Sequence, residues 1–130
     1  MPDMNFKTFF YRFLRWLPAL FIFGCSWYLS SQSRVDFMPE FHFSDKVVHC
    51  SCFAILTFFV AFAVYKKNYV QRIQFWLPVA IVSFYGVIDE FHQSLVPGRS
   101  CDIFDWFADT LGAVIGSAIF LFIIKKSKNN

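Results

Sequence analysis

The charged residues of this chain are sorted around four long apolar segments. Eight of the nine acidic residues fall at what would be one end of those segments, and nine of the twelve Lys and Arg fall at the other. A soluble amphipathic helix carries its charges as a stripe along one face, whereas a membrane-spanning helix carries them at its ends. The sorting therefore predicts a polytopic membrane protein, and it makes the acidic end the place to look for polar chemistry.

Composition supports the membrane interpretation. Of the 130 residues, 57% are hydrophobic, 22% are aromatic and only 16% are charged, and twenty are Phe. The alternative is a small soluble helical core, but the apolar runs are too long and too rarely broken by charge for a soluble helix. The length fits one domain, residues 1–130, with no internal repeat.

The apolar segments predict an all-α fold, a compact bundle of four transmembrane helices. The predicted spans are Phe9 to Ser30, Lys46 to Tyr65, Ile73 to Phe91 and Ile103 to Ile124. The first run follows basic residues, as the apolar region of a signal peptide does, but it is long enough to span, so an uncleaved helix is favoured. The short connection from Lys66 to Arg72 predicts that the second and third spans form an antiparallel hairpin.

The basic residues indicate the orientation of the bundle. They flank the spans at Lys7, Arg12, Arg15, Lys66, Lys67, Arg72, Lys125, Lys126 and Lys128. Lys and Arg are enriched on the cytoplasmic side of membrane proteins. Both termini are therefore predicted to be cytoplasmic and the acidic end extracytoplasmic. The net charge of +3 reflects this topology, and no nucleic-acid partner is predicted from it.

The second span opens with a candidate acid/base pair. Asp45 and His49 are four residues apart, which places them on one helix face. The carboxylate could orient or protonate the imidazole; alternatively, Asp45 caps the helix N-terminus and His49 makes a packing hydrogen bond. Lys46, next to Asp45, is a candidate ligand contact. An ionisable residue inside the apolar zone, such as His49, is expensive enough to suggest function.

The fourth span carries Asp105, Asp109, Gly112 and Gly116 on one face. The two glycines predict a close-packed seam between helices, the small-xxx-small arrangement. The two aspartates should point into the bundle or a wet cavity, because neither is stable against lipid. Asp102 is the candidate N-cap of this helix.

The third span ends in further polar residues, which are Asp89, Glu90, His92 and Gln93. Neighbouring carboxylates and partial burial drive pKa values apart, so this set suits general acid/base chemistry. Pro97-Gly98 predicts a tight turn that delivers the Arg99 guanidinium towards the acidic cluster. There it could pair with a buried carboxylate or hold a phosphate or carboxylate ligand.

The same residues could hold a divalent cation, but a metal is the less favoured interpretation, and the sequence identifies no particular cofactor. The spacings match no metal signature such as HExxH, and Arg99 beside the cluster would repel a cation. The four cysteines, Cys25, Cys50, Cys52 and Cys101, contain no CxxC motif. A bridge from Cys50 or Cys52 to Cys101 is conceivable in an oxidising compartment, but free thiols are favoured.

The polar motifs together resemble a known family. In order they read Leu29-Ser30-Ser31-Gln32-Ser33, Asp45-Lys46-x-x-His49, Tyr85-Gly86-x-x-Asp89-Glu90-x-His92-Gln93, Pro97-Gly98-Arg99 and Asp105-x-x-Ala108-Asp109-x-x-Gly112-x-x-x-Gly116. Over nearly the whole chain this order resembles the VanZ-like family of small bacterial integral membrane proteins. The resemblance implies a place in the bacterial cytoplasmic membrane, and the family's namesake is associated with resistance to the glycopeptide teicoplanin. The chain departs from its relatives at Asp109, where they commonly have Asn, and at Cys50, where Tyr or Phe is frequent.

Two classes of function follow. In the first, an outward-facing pocket handles a lipid head group or a lipid-linked envelope precursor, with or without catalysis. Its candidate catalytic residues are His49, Asp89, Glu90, His92 and Asp105, and its candidate ligand-binding residues are Asp45, Lys46, Gln93, Arg99 and Asp109. In the second, the same groups form a structural network that holds the helices together. Transport is poorly supported, because four short spans offer little cavity and no helix is interrupted.

Overall fold

The computed structural model describes residues 6–33 and 44–129, and it is helical in the four segments that the sequence predicts. The helices are α1 Phe6–Ser30, α2 Ser44–Val64, α3 Gln71–Ser94 and α4 Ile103–Asn129. Within the described residues there are no strands, which confirms the all-α prediction. Four of the charged residues at the ends of the apolar segments lie outside the described part of the chain; they are Asp3, Arg34, Asp36 and Glu40.

The predicted bounds differ from the observed ones mainly at polar helix ends. Helix α3 continues to Ser94, so His92 and Gln93 lie in its last turn and not in a loop. Helix α4 continues to Asn129, five residues beyond the predicted end at Ile124. Hydropathy marks the part of a helix that suits lipid, whereas hydrogen bonding decides where the helix ends.

Three of the helices, α2, α3 and α4, are long enough and apolar enough to cross a membrane. Helix α1, which has 25 residues, is not among these three, and it carries Lys7, Arg12 and Arg15 in its first ten residues. The protein is therefore an all-helical membrane protein with three clear candidate spans.

Helix α1 nevertheless runs along the length of the bundle. Near its start, the Arg15 guanidinium donates hydrogen bonds to the backbone carbonyls of Phe62 and, at 3.2 Å, Tyr65, at the C-terminal end of α2. At its other end, Ser30 bonds to Asp89 near the end of α3. Arg15 and Ser30 are 15 residues apart, or about 22 Å along a helix. Helix α1 therefore lies antiparallel to α2 and extends from one end of the bundle to the other.

Helices α2 and α4 run parallel and meet along a seam of small residues. A Cβ atom on Gly112 would overlap the carbonyl oxygen of Cys50, and one on Gly116 would overlap that of Ala54. Backbones can approach this closely only where no side chain intervenes. The predicted glycine seam is confirmed, and it fixes how near the polar residues of α2 and α4 come to each other.

Apolar side chains occupy both the interior and the outer surface of the bundle. Phe53, Leu56, Val60 and Val82 are buried within it. Large apolar side chains on every helix are also exposed, with Phe122 at 68%. A soluble monomer does not present so much contiguous apolar surface, whereas lipid covers it at no cost.

Candidate functional site

The polar side chains at the acidic end form two hydrogen-bonded groups. The first, called here the imidazole cluster, comprises Asp45, Lys46, His49, Glu90, Asp102, Asp105 and Asp109. The second, called the Asp89 network, comprises Ser30, Gln32, Asp89, Gln93 and Arg99. Among the described residues no hydrogen bond joins the two groups. The fold therefore divides what the sequence suggested was one constellation.

Lys46 and Asp105 form the outermost link between α2 and α4. The Lys46 ammonium donates to Asp105 Oδ1 at 2.7 Å and to Asp102 Oδ2 at 3.1 Å. Asp105 is buried, whereas the Lys46 side chain is 30% exposed. The ion pair thus closes the mouth of the cluster and neutralises its outermost buried carboxylate.

Asp102 is the N-cap of α4, as predicted. Its Oδ1 accepts the backbone N–H of Phe104 at 2.8 Å, which satisfies a free donor at the helix start. This N–H, together with the Lys46 ammonium, holds the pKa of Asp102 below its ordinary value.

His49 and Asp109 form the second link between α2 and α4. The imidazole Nδ1 lies 2.8 Å from Asp109 Oδ1, and both side chains are buried. Asp45, the partner suggested by spacing, is 3.9 Å from Nε2, too far for a hydrogen bond. The cross-helix carboxylate is the closer partner because the glycine seam brings α4 against this face of α2.

Glu90 reaches the same cluster from α3. Its Oε2 accepts the backbone N–H of Asp102 at 2.9 Å, and its Oε1 lies 4.0 Å from His49 Nδ1. Neither Glu90 Oε1 nor Asp109 Oδ2 has a hydrogen-bond partner among the described residues, although both are buried. Buried polar atoms are rarely left unsatisfied, so these two oxygens require an explanation.

Gly86 gives the Asp109 carboxylate its space. A Cβ atom at Gly86 would stand 3.1 Å from Asp109 Oδ2 and 3.3 Å from the ring of Phe53. Gly86 precedes Glu90 by four residues, so both face α4 from the same side of α3. The backbone of α3 can therefore approach the unsatisfied oxygen of Asp109.

Asp89 faces α1 and not the imidazole cluster. Its Oδ1 accepts the Ser30 hydroxyl at 2.6 Å, and its Oδ2 accepts the Gln93 amide at 2.9 Å. Successive helical residues diverge by about 100°, which explains why Asp89 and Glu90 belong to different groups. Both oxygens of Asp89 are satisfied by protein donors.

Arg99 follows the predicted tight turn. Its N–H donates to the Val96 carbonyl at 3.1 Å, and Gly98 has a φ of +83°, which suits a type II turn. The guanidinium donates to Gln93 Oε1 at 2.6 Å and, at 3.5 Å, to the Gln32 carbonyl. Arg99 thus approaches Asp89 through Gln93 and, within the described residues, contacts no carboxylate of the imidazole cluster.

His92 joins neither group. Its ring stacks on Trp27 of α1, with centroids 3.8 Å apart and planes within 8° of parallel, and its Nδ1 has no described partner. Two residues after Glu90, it projects from a different side of α3. The expected convergence of the two imidazoles does not occur.

The four cysteines are free. Cys25 and Cys101 are exposed, and Cys50 and Cys52 are half-buried. Free thiols were the favoured interpretation, and in the structure neither Cys50 nor Cys52 is bridged to Cys101.

Several residues that shape the site were absent from the predicted set. They are Trp27, Ser30, Gln32 and Gly86. Ser30 and Gln32 belong to the polar motif that ends the first span, and Gly86 belongs to the motif at the end of the third. Their motif positions were the available signal, but single polar residues at helix ends are usually solvated.

The imidazole cluster offers two chemical possibilities. His49 stands between two carboxylates, an arrangement that can accept or relay a proton. It also supplies two candidate metal-ligand sets, Asp45 with His49 and Asp105, and His49 with Glu90 and Asp109. In each set the candidate ligand atoms lie within 4.8 Å of one another.

Comparison with known proteins yields one match. A family model described as VanZ/LLP1 matches residues 5–125, which include all of α1, α2 and α3 and most of α4. No curated protein and no solved structure matches the chain.

Proposed function

Because the chain belongs to the VanZ/LLP1 family, we propose that it is a bacterial envelope membrane protein that handles a lipid head group or lipid-linked envelope precursor. The imidazole cluster carries this proposal. Glu90 and Asp109 are buried at the mouth of a helix bundle, and each keeps one oxygen that has no hydrogen-bond partner within residues 6–33 and 44–129. Ionisable groups are expensive at membrane depth and usually serve a ligand or proton pathway.

The proposed topology has four spans, with both termini in the cytoplasm and the imidazole cluster at the extracytoplasmic surface of the cytoplasmic membrane. Helix α1 extends along the whole bundle, which supports counting it as a membrane span in addition to α2, α3 and α4. Arg15 can lie at the cytoplasmic interface, since its long side chain reaches the carbonyls at the end of α2. The concentration of Lys and Arg at that end supports the orientation.

In the catalytic version of the proposal, His49 or Glu90 exchanges a proton with a head-group atom at the mouth of the cluster. Lys46, which is partly exposed, is the cation of the imidazole cluster that an anionic group could contact. In the binding version, the same pocket recognises the head group without proton transfer. Arg99 serves as a rim contact in both versions, since Gln93 holds it away from His49.

The Asp89 network supports a structural role for the other half of the constellation. Its hydrogen bonds connect α1, α3 and the turn before α4, and both Asp89 oxygens are satisfied. A fully satisfied buried network rigidifies a fold. We assign Asp89, Gln93 and Ser30 to holding α1 in place.

Native mass spectrometry of the protein extracted with its own lipids tests the proposal. The wild type should retain a defined lipid or lipid-linked species, and both Glu90→Gln and His49→Gln should lose it. Lys67→Gln, which removes a charge from the opposite end, is the matched control and should retain it. Equal retention by all four proteins, or no species above the bulk lipid pattern, would refute the proposed function.

Activity separates the two versions of the proposal. If the wild type converts the retained species, the protein is an enzyme; if it converts none, the binding version holds. Turnover by Glu90→Gln at the wild-type rate would contradict the acid/base assignment. The proposal also extends to glycopeptide resistance, because the family's namesake is associated with resistance to teicoplanin. Teicoplanin susceptibility of a host carrying the wild type or Glu90→Gln tests that extension.

A further inference from the structure

The charges of the imidazole cluster do not balance among its own residues. Lys46 neutralises Asp105 at 2.7 Å, which leaves Glu90 and Asp109 beside a single imidazole. Their side chains are 4% and 0% exposed, respectively. One imidazole can neutralise at most one of these two carboxylates, so the described residues supply this buried point with more negative than positive charge. A buried charge without a partner is strongly unfavourable, so this site calls for a positively charged ligand.

We propose that His49, Glu90 and Asp109 form a binding site for one divalent first-row metal cation of the Zn²⁺ or Mn²⁺ type. The two unsatisfied oxygens, Glu90 Oε1 and Asp109 Oδ2, are the free ligand atoms that such a site needs. One imidazole with two carboxylates is a ligand set suited to these ions. The doubly charged cation matches the two carboxylates.

The distances suit this assignment. Ligand atoms bound at about 2.1 Å lie about 3.0 Å apart at a right angle and about 3.4 Å apart in a tetrahedron. His49 Nδ1 lies 4.0 Å from the free Glu90 Oε1 and 2.8 Å from Asp109 Oδ1, to which it is hydrogen-bonded. A bound cation would replace this hydrogen bond, and candidate ligand atoms of the three residues already lie within 4.8 Å of one another. Side-chain movements of less than about 1 Å would bring these atoms to the separations expected between ligands of one metal ion.

The position of Arg99 in the structure is compatible with a bound metal ion. Arg99 was expected to face the carboxylates and repel a cation, but its guanidinium is bound to Gln93 in the other group. No short sequence motif marks the site, because its three ligands come from three different helices, α2, α3 and α4.

The cation deepens the binding version of the proposed function, because His49 and Glu90 as its ligands are not free to exchange a proton, and its role towards a ligand rests on that proposal. An anionic head group would be repelled by Glu90 and Asp109, whereas a bound cation with open coordination positions attracts a phosphate oxygen. The site would therefore favour a phosphate-bearing lipid. Metal binding itself can be measured without any lipid.

Metal titration of the detergent-solubilised full chain, freed of its affinity tag and treated with a chelator, tests the site. Inductively coupled plasma mass spectrometry should find about one Zn²⁺ per chain after desalting, and calorimetry gives its affinity. Mn²⁺ is titrated in parallel with its electron paramagnetic resonance signal, because carboxylates and imidazole bind Mn²⁺ and the free thiols of Cys50 and Cys52 do not suit it.

Glu90→Gln and Asp109→Asn, both nearly isosteric, should each weaken binding of both ions at least about tenfold. Lys67→Gln removes a charge at the opposite end of the bundle, outside the imidazole cluster, so it should bind as the wild type does. Less than about a fifth of an equivalent of either ion on the wild type, or equal affinity in all four proteins, would overturn the proposal. A protein that binds the metal through Glu90 and Asp109 but retains no lipid would keep this site and refute only the proposed function.

Discussion

Replacement of Gly112 by Ala should disrupt both the packing of the bundle and the geometry of the imidazole cluster. The new Cβ would overlap the backbone carbonyl of Cys50, next to His49. Because the obstacle is backbone, no side-chain rotation can relieve the overlap. Helices α2 and α4 must separate by about 1 Å to restore ordinary contact.

The expected destabilisation can be assembled from three contributions. Overpacking of this kind costs about 1–3 kcal/mol. A separation of about 1 Å takes the 2.8 Å contact between His49 and Asp109 beyond hydrogen-bond distance, which removes about 1.5–3 kcal/mol. Ala is a better helix former than Gly by about 1 kcal/mol, which offsets part of the loss. The net decrease in the free energy of unfolding is therefore about 1.5–5 kcal/mol.

Gly24→Ala is the matched control. Gly24 lies on α1, and a Cβ there would meet nothing within 4 Å, so this variant should be unchanged or more stable by up to about 1 kcal/mol. Both free energies of unfolding can be measured by sodium dodecyl sulfate titration in mixed micelles, with helicity as the signal. If Gly112→Ala is as stable as Gly24→Ala, the argument that the seam sets the spacing of α2 and α4 is wrong.

Three further predictions concern the polar groups. Lys46→Met should destabilise the protein by about 1–3 kcal/mol in the same titration, because it leaves Asp105 without its cation. The double variant Lys46→Met with Asp105→Asn should recover most of this loss. If it recovers none, the ion pair between Lys46 and Asp105 is not the cause. Ser30→Ala should lower the free energy of unfolding by about 1.5–3 kcal/mol, since Asp89 loses a buried donor. Ser30→Thr keeps a hydroxyl and should retain most of that energy. Equal free energies of unfolding for the two variants would exclude a stabilising hydrogen bond from Ser30 to Asp89. Asp102 has a lowered pKa in the folded protein, so its contribution to stability is present above its ordinary value near 3.8 and is lost as pH falls below it. Asp102→Asn should therefore flatten the acid limb of the stability profile, and an unchanged limb would refute this linkage.

Local properties of the chain were sufficient to predict the helices. Apolar runs of membrane length, the basic flanks and the glycine spacing from Gly112 to Gly116 determine which segments are helical and which face of α4 packs closely. The turn at Pro97-Gly98 and the cap at Asp102 were likewise predictable, because each depends on a few consecutive residues. These features agree with the structure.

The partners of the site residues could not be predicted in the same way. Spacing paired Asp45 with His49, but the fold supplies Asp109 from another helix at 2.8 Å. Spacing also grouped Asp89 with Glu90, although the helical rotation between them sends one side chain towards α1 and the other towards α4. A cross-helix contact depends on the rotation and depth of both helices, which no local pattern contains.

The sequence by itself therefore determined the membrane character of the protein, its helices, its close-packed seam and the end at which its ionisable residues collect. Only the tertiary structure decided that these residues form two groups, that Arg99 belongs with Asp89, and that Glu90 and Asp109 share His49 while each keeps a free oxygen. The physical reason is the separation along the chain over which each interaction acts. Hydrophobicity, capping and helix spacing act over a few residues along the chain, whereas the satisfaction of a buried charge depends on atoms that packing brings from distant helices.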